Sequence, residues 1–179
     1  MKGISLVLVA VLALAASAVQ SADKPTGNIK APADLLLELK VANKPLAIPS
    51  GKEFPLPVGA YGPASITAQA AGEEVGGKRE IWSIQSTGPF GKLAQIEVKE
   101  GATTTIDAGP PLVLKATVSK ATTTPQGKVV RINLQVIGKM GEVYAPSTLR
   151  KGQTVAPAPQ FEILDEKGTS LAKGNLEYG

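Results

Sequence analysis

VVRINLQVI, residues 129–137, alternates apolar and polar side chains with a period of two. Val130, Ile132, Leu134 and Val136 fall on one face, and Arg131, Asn133 and Gln135 fall on the other. That period belongs to a half-buried β-strand, because successive side chains of a strand point to opposite sides. The same syntax recurs upstream. In REIWSIQS (79–86), Ile81, Ser83 and Gln85 lie against Trp82 and Ile84, with Trp82 the natural large core residue. In DLLLELKVANK (34–44), Leu35, Leu37, Leu39 and Val41 alternate, although Leu36 breaks the polar side and leaves a short helix from Asp34 as the alternative.

Weaker strands are expected over SITAQA (65–70), LAQIEVKE (93–100), the β-branched run Thr103 to Ile106, LVLKATVS (112–119), Val143 to Leu149 and FEILDE (161–166). Turns are expected at Glu73 to Lys78, at Gly88-Pro89-Phe90-Gly91, through Pro125-Gln126-Gly127, from Gly138 to Gly141, and at Lys151-Gly152 and Lys167-Gly168. Pro45, Pro49, Pro55, Pro57 and Pro63 confine their stretch to edge strands and turns, since proline cannot donate to a ladder. With 19 Gly and 14 Pro and no helix-length periodic segment after residue 22, the fold class is all-β.

The beginning of the chain reads differently. Met1-Lys2 is a short positive start, Ile4 to Leu14 is an almost unbroken apolar run, and small residues lead to Ala16-Ser17-Ala18. This is the layout of a secretory signal peptide, 1–18, cleaved on export, with Val19-Gln20-Ser21 offering a second cut. The run is shorter than the roughly 20 apolar residues a bilayer span needs. A membrane anchor or a buried core helix is the alternative. Polar, proline-bearing residues follow, so 19–33 reads as a flexible leader.

Removing 1–18 leaves about 160 residues, enough for one large or two small β domains. Gly109-Pro110-Pro111 is the clearest internal boundary, because consecutive prolines stiffen a linker. The expected organisation is two small antiparallel β-sandwiches of Ig-like type, 34–108 and 109–179, with one sandwich crossed by that segment as the alternative. Tyr61-Gly62-Pro63 and Tyr144-Ala145-Pro146 share a loose pattern that equivalent strand ends or chance would both produce.

The residue types exclude much chemistry. There are no Cys and no His, so thiolate and imidazole metal sites, lipid attachment at cysteine, and His-dependent hydrolysis are all absent. The formal net charge is +4, and the basic residues are spread out, densest at Lys78-Arg79 and Arg150-Lys151. With seven scattered aromatics, the chain lacks the basic, stacking groove of a nucleic-acid binder. Glu73-Glu74 and Asp165-Glu166 are the adjacent acidic pairs; each sits at a glycine turn and lacks EF-hand spacing, so solvated turn charge explains them. No motif selects the facing carboxylates of a glycosidase. The candidate ligand-face residues are Tyr61, Trp82 and Tyr144, whose rings would stack on a sugar if exposed; no catalytic, cofactor-binding or metal residue is selected.

Leu56-Pro57-Val58-Gly59-Ala60-Tyr61 and Ile96-Glu97-Val98-Lys99-Glu100-Gly101-Ala102-Thr103-Thr104-Thr105-Ile106-Asp107 together resemble the carboxypeptidase-regulatory-like (transthyretin-like) β-sandwich modules of exported bacterial proteins. The match covers about residues 46–108, and the two pieces are farther apart than in a compact module, with Trp82 and its flanks between them. The end of the chain, from Phe161 to Gly168 and Gly174 to Gly179, is similar to C-terminal segments of exported bacterial proteins of unassigned function. The resemblance implies scaffolding or recognition and brings no catalytic residue. The expectation is an exported accessory protein, periplasmic or outside the cell, with no membrane span after cleavage, whose partner is an envelope protein or a glycan. A carbohydrate-binding module and a carboxylate-dependent hydrolase are the alternatives.

Overall fold

The computed structural model describes residues 24–120, 122–125 and 127–176; the expected signal peptide and the last three residues lie outside these. Eight strands precede Gly109: β1 Thr26–Lys30, β2 Leu35–Val41, β3 Lys44–Ile48, β4 Glu53–Pro57, β5 Gly59–Val75, β6 Lys78–Ser86, β7 Ile96–Val98 and β8 Thr103–Thr105. Nine follow it: β9 Val113–Val118, β10 Thr122–Thr124, β11 Gly127–Val129, β12 Ile132–Ile137, β13 Val143–Tyr144, β14 Arg150–Lys151, β15 Thr154–Val155, β16 Gln160–Leu164 and β17 Ser170–Asn175. The described residues are all-β, with several antiparallel sheets and only two short 3-10 turns, Gly91–Ala94 and Pro146–Thr148.

The core lies between two sheets. The larger runs β15-β14-β6-β5-β2-β3, with β7 paired to β5; the smaller runs β4-β1-β8. Alternation sends Leu35, Leu37 and Leu39 of β2 inward beside Ile66 and Ala68 of β5 and Ile84 of β6. Ile29 of β1 and Leu56 of β4 close the core from the opposite sheet. Asp34 precedes a strand and not a helix, and Leu36 stays on the outer face, 47% exposed.

Turn chemistry sets the hairpins. Gly76 and Gly77, with φ of 60° and 76°, make the two-residue turn from β5 to β6, where both positions need positive φ. The β2–β3 turn has the same need but is filled by Ala42 (φ 48°) and Asn43 (φ 64°).

Three expectations are corrected. The segment expected as a flexible leader contains β1, which pairs antiparallel with β4 and parallel with β8; Ile29 has no exposed surface. Gly27 permits this packing, since a β-carbon there would collide with the Lys99 carbonyl oxygen. The strand read over 93–100 begins as a 3-10 turn and is regular only in β7. The stretch 129–137 is not one strand: it breaks at Val130-Arg131, where the Arg131 N–H donates to Ser119 Oγ at 2.8 Å.

The expected boundary at Gly109-Pro110-Pro111 is bridged repeatedly. Tyr144 of β13 is fully buried in the core built by the first eight strands. β14 extends the larger sheet beside β6, with Arg150 opposite Ser83 and Lys151 opposite Trp82. The N–H groups of Val143, Ala145 and Gly152 donate to the carbonyls of Pro89, Gln85 and Ile81. Tyr61 enters a strand and Tyr144 leaves one, so their similar neighbours do not mark equivalent positions. By contrast, β16 and β17 form a ladder only with each other, after the Ala156-Pro157-Ala158-Pro159 spacer.

Candidate functional site

β9 and β12 run antiparallel in the sheet order β13-β12-β9. Residues directly opposite in an antiparallel pair share a face. Val136 stands opposite Leu114 and Tyr144, Leu134 opposite Ala116, and Ile132 opposite Val118. One face of this ribbon is therefore an unbroken apolar ladder. It starts in the core at Tyr144, passes through Val136 packed against that core with Leu114 beside it 64% exposed, and runs outward to Ile132 and Val118, the latter 60% exposed. The other face carries Val113 opposite Ile137 near the base, then Lys115 opposite Gln135 and Thr117 opposite Asn133. Exposed apolar residues continue toward the tip at Val129 and Val130. Single exposed apolar residues are ordinary, whereas a contiguous row on an uncovered sheet marks a contact surface.

The ribbon also has an open edge: β9 pairs with β12 on one side and with no other described strand on the other. None of the chain's 15 acidic residues falls between Ala108 and Gly141, a stretch that holds Lys115, Lys120, Lys128, Arg131 and Lys139. Lys139 is paired with Asp107 at 3.0 Å, while Lys115, Lys120 and Arg131 enter none of the ion pairs among the described residues.

The base of the ribbon is pinned by Glu142, which is fully buried. Its Oε1 accepts the Gly109 N–H at 2.7 Å and the Tyr144 hydroxyl at 3.1 Å, and its Oε2 accepts the Met140 N–H at 2.9 Å. Gly138 leaves the room, since a β-carbon there would collide with the carboxylate. Burial, and then the adjacent Glu142, raise the Tyr144 phenol far above its ordinary value and keep it a donor. These three donors give the carboxylate a structural role: it ties the Gly109 segment to the turn that leads into β13.

The three candidate ligand-face residues do not share a face. Tyr144 is buried. Tyr61 is half-buried on β5, opposite Ile96, and its hydroxyl donates to the Pro57 carbonyl at 2.7 Å. Trp82 is half-buried at the end of the core face, with Lys151 Nζ 6.0 Å from its ring centroid and Lys151 paired to Glu80 at 2.8 Å. Beside it, Ala68, Ala70, Ile84, Pro110, Leu112 and Leu149 help line a cavity of about 90 Å³. A neighbouring cleft of about 490 Å³ is bordered by Asp34, Arg79, Ile81 and Pro110.

The acidic pairs serve their turns. Glu74 faces Arg79 at 3.8 Å. Asp165 accepts the N–H groups of Thr169 at 2.8 Å and Lys167 at 2.9 Å, and the Thr169 bond leads in holding its carboxyl below the usual range. Among the described residues no cluster of acidic side chains is arranged to hold a metal ion.

Sequence reading found both strands of the ribbon but missed the ladder. The apolar face of 129–137 reads as a strand facing a core, whereas Ile132 and Leu134 are half-buried and their partners on β9 are exposed. The charge signal was equally available, as a gap in acids and not a cluster of bases. No family model matches this chain, and no curated protein or solved structure matches it.

Proposed function

We propose that this chain is an exported, non-catalytic accessory protein of the cell envelope or exterior that binds another protein through the β9–β12 ladder. The observation that carries the reading is the row of exposed Leu114, Ala116 and Val118 on β9, set against half-buried Ile132, Leu134 and Val136 on β12. A buried Leu or Val contributes about 1.5–3 kcal/mol over an exposed one, so covering the outer rows gives a partner a substantial driving force. The apolar leader at Ile4 to Leu14 supports export. Among the described residues no helix is long and apolar enough to cross a membrane. The transthyretin-like resemblance of residues 46–108 supports a scaffold role for the body that holds the ribbon.

Glycan recognition is the second reading, and it rests on Trp82, the candidate aromatic beside the open cleft at Pro110. It lacks the second coplanar ring that a sugar platform gains from.

The test is a photoreactive residue at Leu114 of the exported protein, activated in the native envelope. A protein adduct that disappears in Val118→Asp is the expected result. Capture of a glycan polymer without any protein adduct, lost in Trp82→Ala, overturns the reading in favour of a binding module. Turnover of a polysaccharide that one Asp or Glu substitution abolishes overturns the non-catalytic assignment.

A further inference from the structure

We propose that the partner is an extended, acidic protein segment that adds to the free edge of β9 as a further strand. This rests on the protein-recognition reading and names the chemistry of the occupant. Three observations on the same ribbon point to it. The open edge of β9 presents backbone N–H and C=O groups that a strand satisfies and a flat apolar body does not. The two faces of the ribbon differ, so an added strand meets Leu114, Ala116 and Val118 on one side and, beyond Val113, Lys115 and Thr117 on the other. The charge is one-sided: Lys115, Lys120 and Arg131 enter no ion pair among the described residues, and no acid falls from Ala108 to Gly141.

Together these define a pattern. Apolar residues at every second position continue the ladder beside Leu114, Ala116 and Val118. Carboxylates at the alternate positions face Lys115, with Lys120 and Arg131 nearby in the chain. Opposite charges side by side on neighbouring strands stabilise a sheet, and like charges destabilise it.

The same charge argues against a second copy of this chain. Two β9 edges paired about a two-fold axis, with apolar faces on one side, bring the two Lys115 residues opposite each other or to neighbouring pairs, and double the unbalanced charge. An anionic lipid surface would answer the cations but would leave the edge amides without partners.

The experiment uses the purified protein and two labelled ten-residue peptides, one alternating valine with glutamate and one alternating valine with lysine. The glutamate peptide is expected to bind about tenfold more tightly, as several favourable pairs replace unfavourable ones. It should slow hydrogen exchange at amides of residues 113–118, and Lys115→Glu should shrink the preference to about twofold or less. Equal binding of both peptides at β9 overturns the acidic assignment and leaves the ladder reading standing. Binding of neither peptide, while the Leu114 adduct persists, overturns strand addition alone. No peptide binding together with an adduct insensitive to Val118→Asp overturns both. Protection of 113–118 by phosphatidylglycerol vesicles, with no response to either peptide, replaces the protein strand with a lipid surface.

Discussion

The phenol of Tyr144 donates to Glu142 Oε1 across 3.1 Å, and neither residue has exposed surface. Glu142 also gathers the N–H groups of Gly109 and Met140, so one carboxylate fixes where the ribbon leaves the core. Glu142→Ala strands the buried Gly109 N–H and Tyr144 hydroxyl and the part-buried Met140 N–H, and each buried donor costs about 1–3 kcal/mol when left unpaired. A loss of at least about 3 kcal/mol is expected in denaturant unfolding. Tyr144→Phe leaves the carboxylate two donors and should cost only about 1–2 kcal/mol.

The same pair sets an alkaline limit. Burial, followed by the Glu142 charge, raises the Tyr144 phenol above its ordinary 10.0. Above pH 10 the unfolded chain gives up this proton while the native state keeps it, so the native state binds more protons and stability falls as pH rises. The contribution is intact below that pH. Tyr144→Phe should flatten the decline seen by chemical unfolding between pH 9 and 11, leaving Tyr61, which burial also raises, to contribute. An unchanged slope would remove Tyr144 from the account.

Gly138→Ala is a small change with a large expected effect. The added β-carbon would occupy the space of the Glu142 carboxylate, so either the turn or the network must shift. A loss of about 1–3 kcal/mol is expected from such overpacking, with the Gly109 amide among the first to gain hydrogen exchange.

Ala42→Gly should do the reverse. Ala42 holds φ at 48°, in the left-handed region that disfavours a β-carbon, and lies exposed in the β2–β3 turn. Glycine removes that strain at some entropic cost, and a gain of a few tenths to about 1 kcal/mol is expected in thermal unfolding.

Leu114→Asp and Leu37→Ala separate surface from core. Leu114 is 64% exposed, so its replacement should move stability by no more than about 0.5 kcal/mol. Leu37 is 1% exposed, and its truncation should cost about 2–5 kcal/mol. A marked destabilisation by Leu114→Asp would mean that the ladder already has a cover.

Local alternation located β2, β5 and β6 and oriented Ile84 toward the core, because those strands have one wet and one dry face; Trp82, expected as the large core residue, is half-buried beyond the core cluster. β1 escaped notice because TGNIK has one large apolar residue, Ile29, and its burial depends on β4 and β8, which lie far along the chain. Tyr144 read as a candidate ligand-face ring, since nothing local to it reports a core built by residues 29–108. Glu142 carried no motif, because a carboxylate held by two backbone N–H groups and a phenol is defined by the path of the chain. The candidate aromatics were legible as residue types, but their separation was not, since it follows from strand order.

The return of β13 and β14 to the first eight strands has a consequence for timing. A chain made from its N-terminus can lay down β1 to β8 early, yet the place of Tyr144 stays empty until the residues after Gly141 arrive. Closing so long a connection is slow and costs loop entropy before contacts reward it. Until then the residues that surround Tyr144 in the finished core lack that side chain. The last strands, β16 and β17, pair only with each other, so the ladders that join this part of the chain to the first eight strands are complete by Val155.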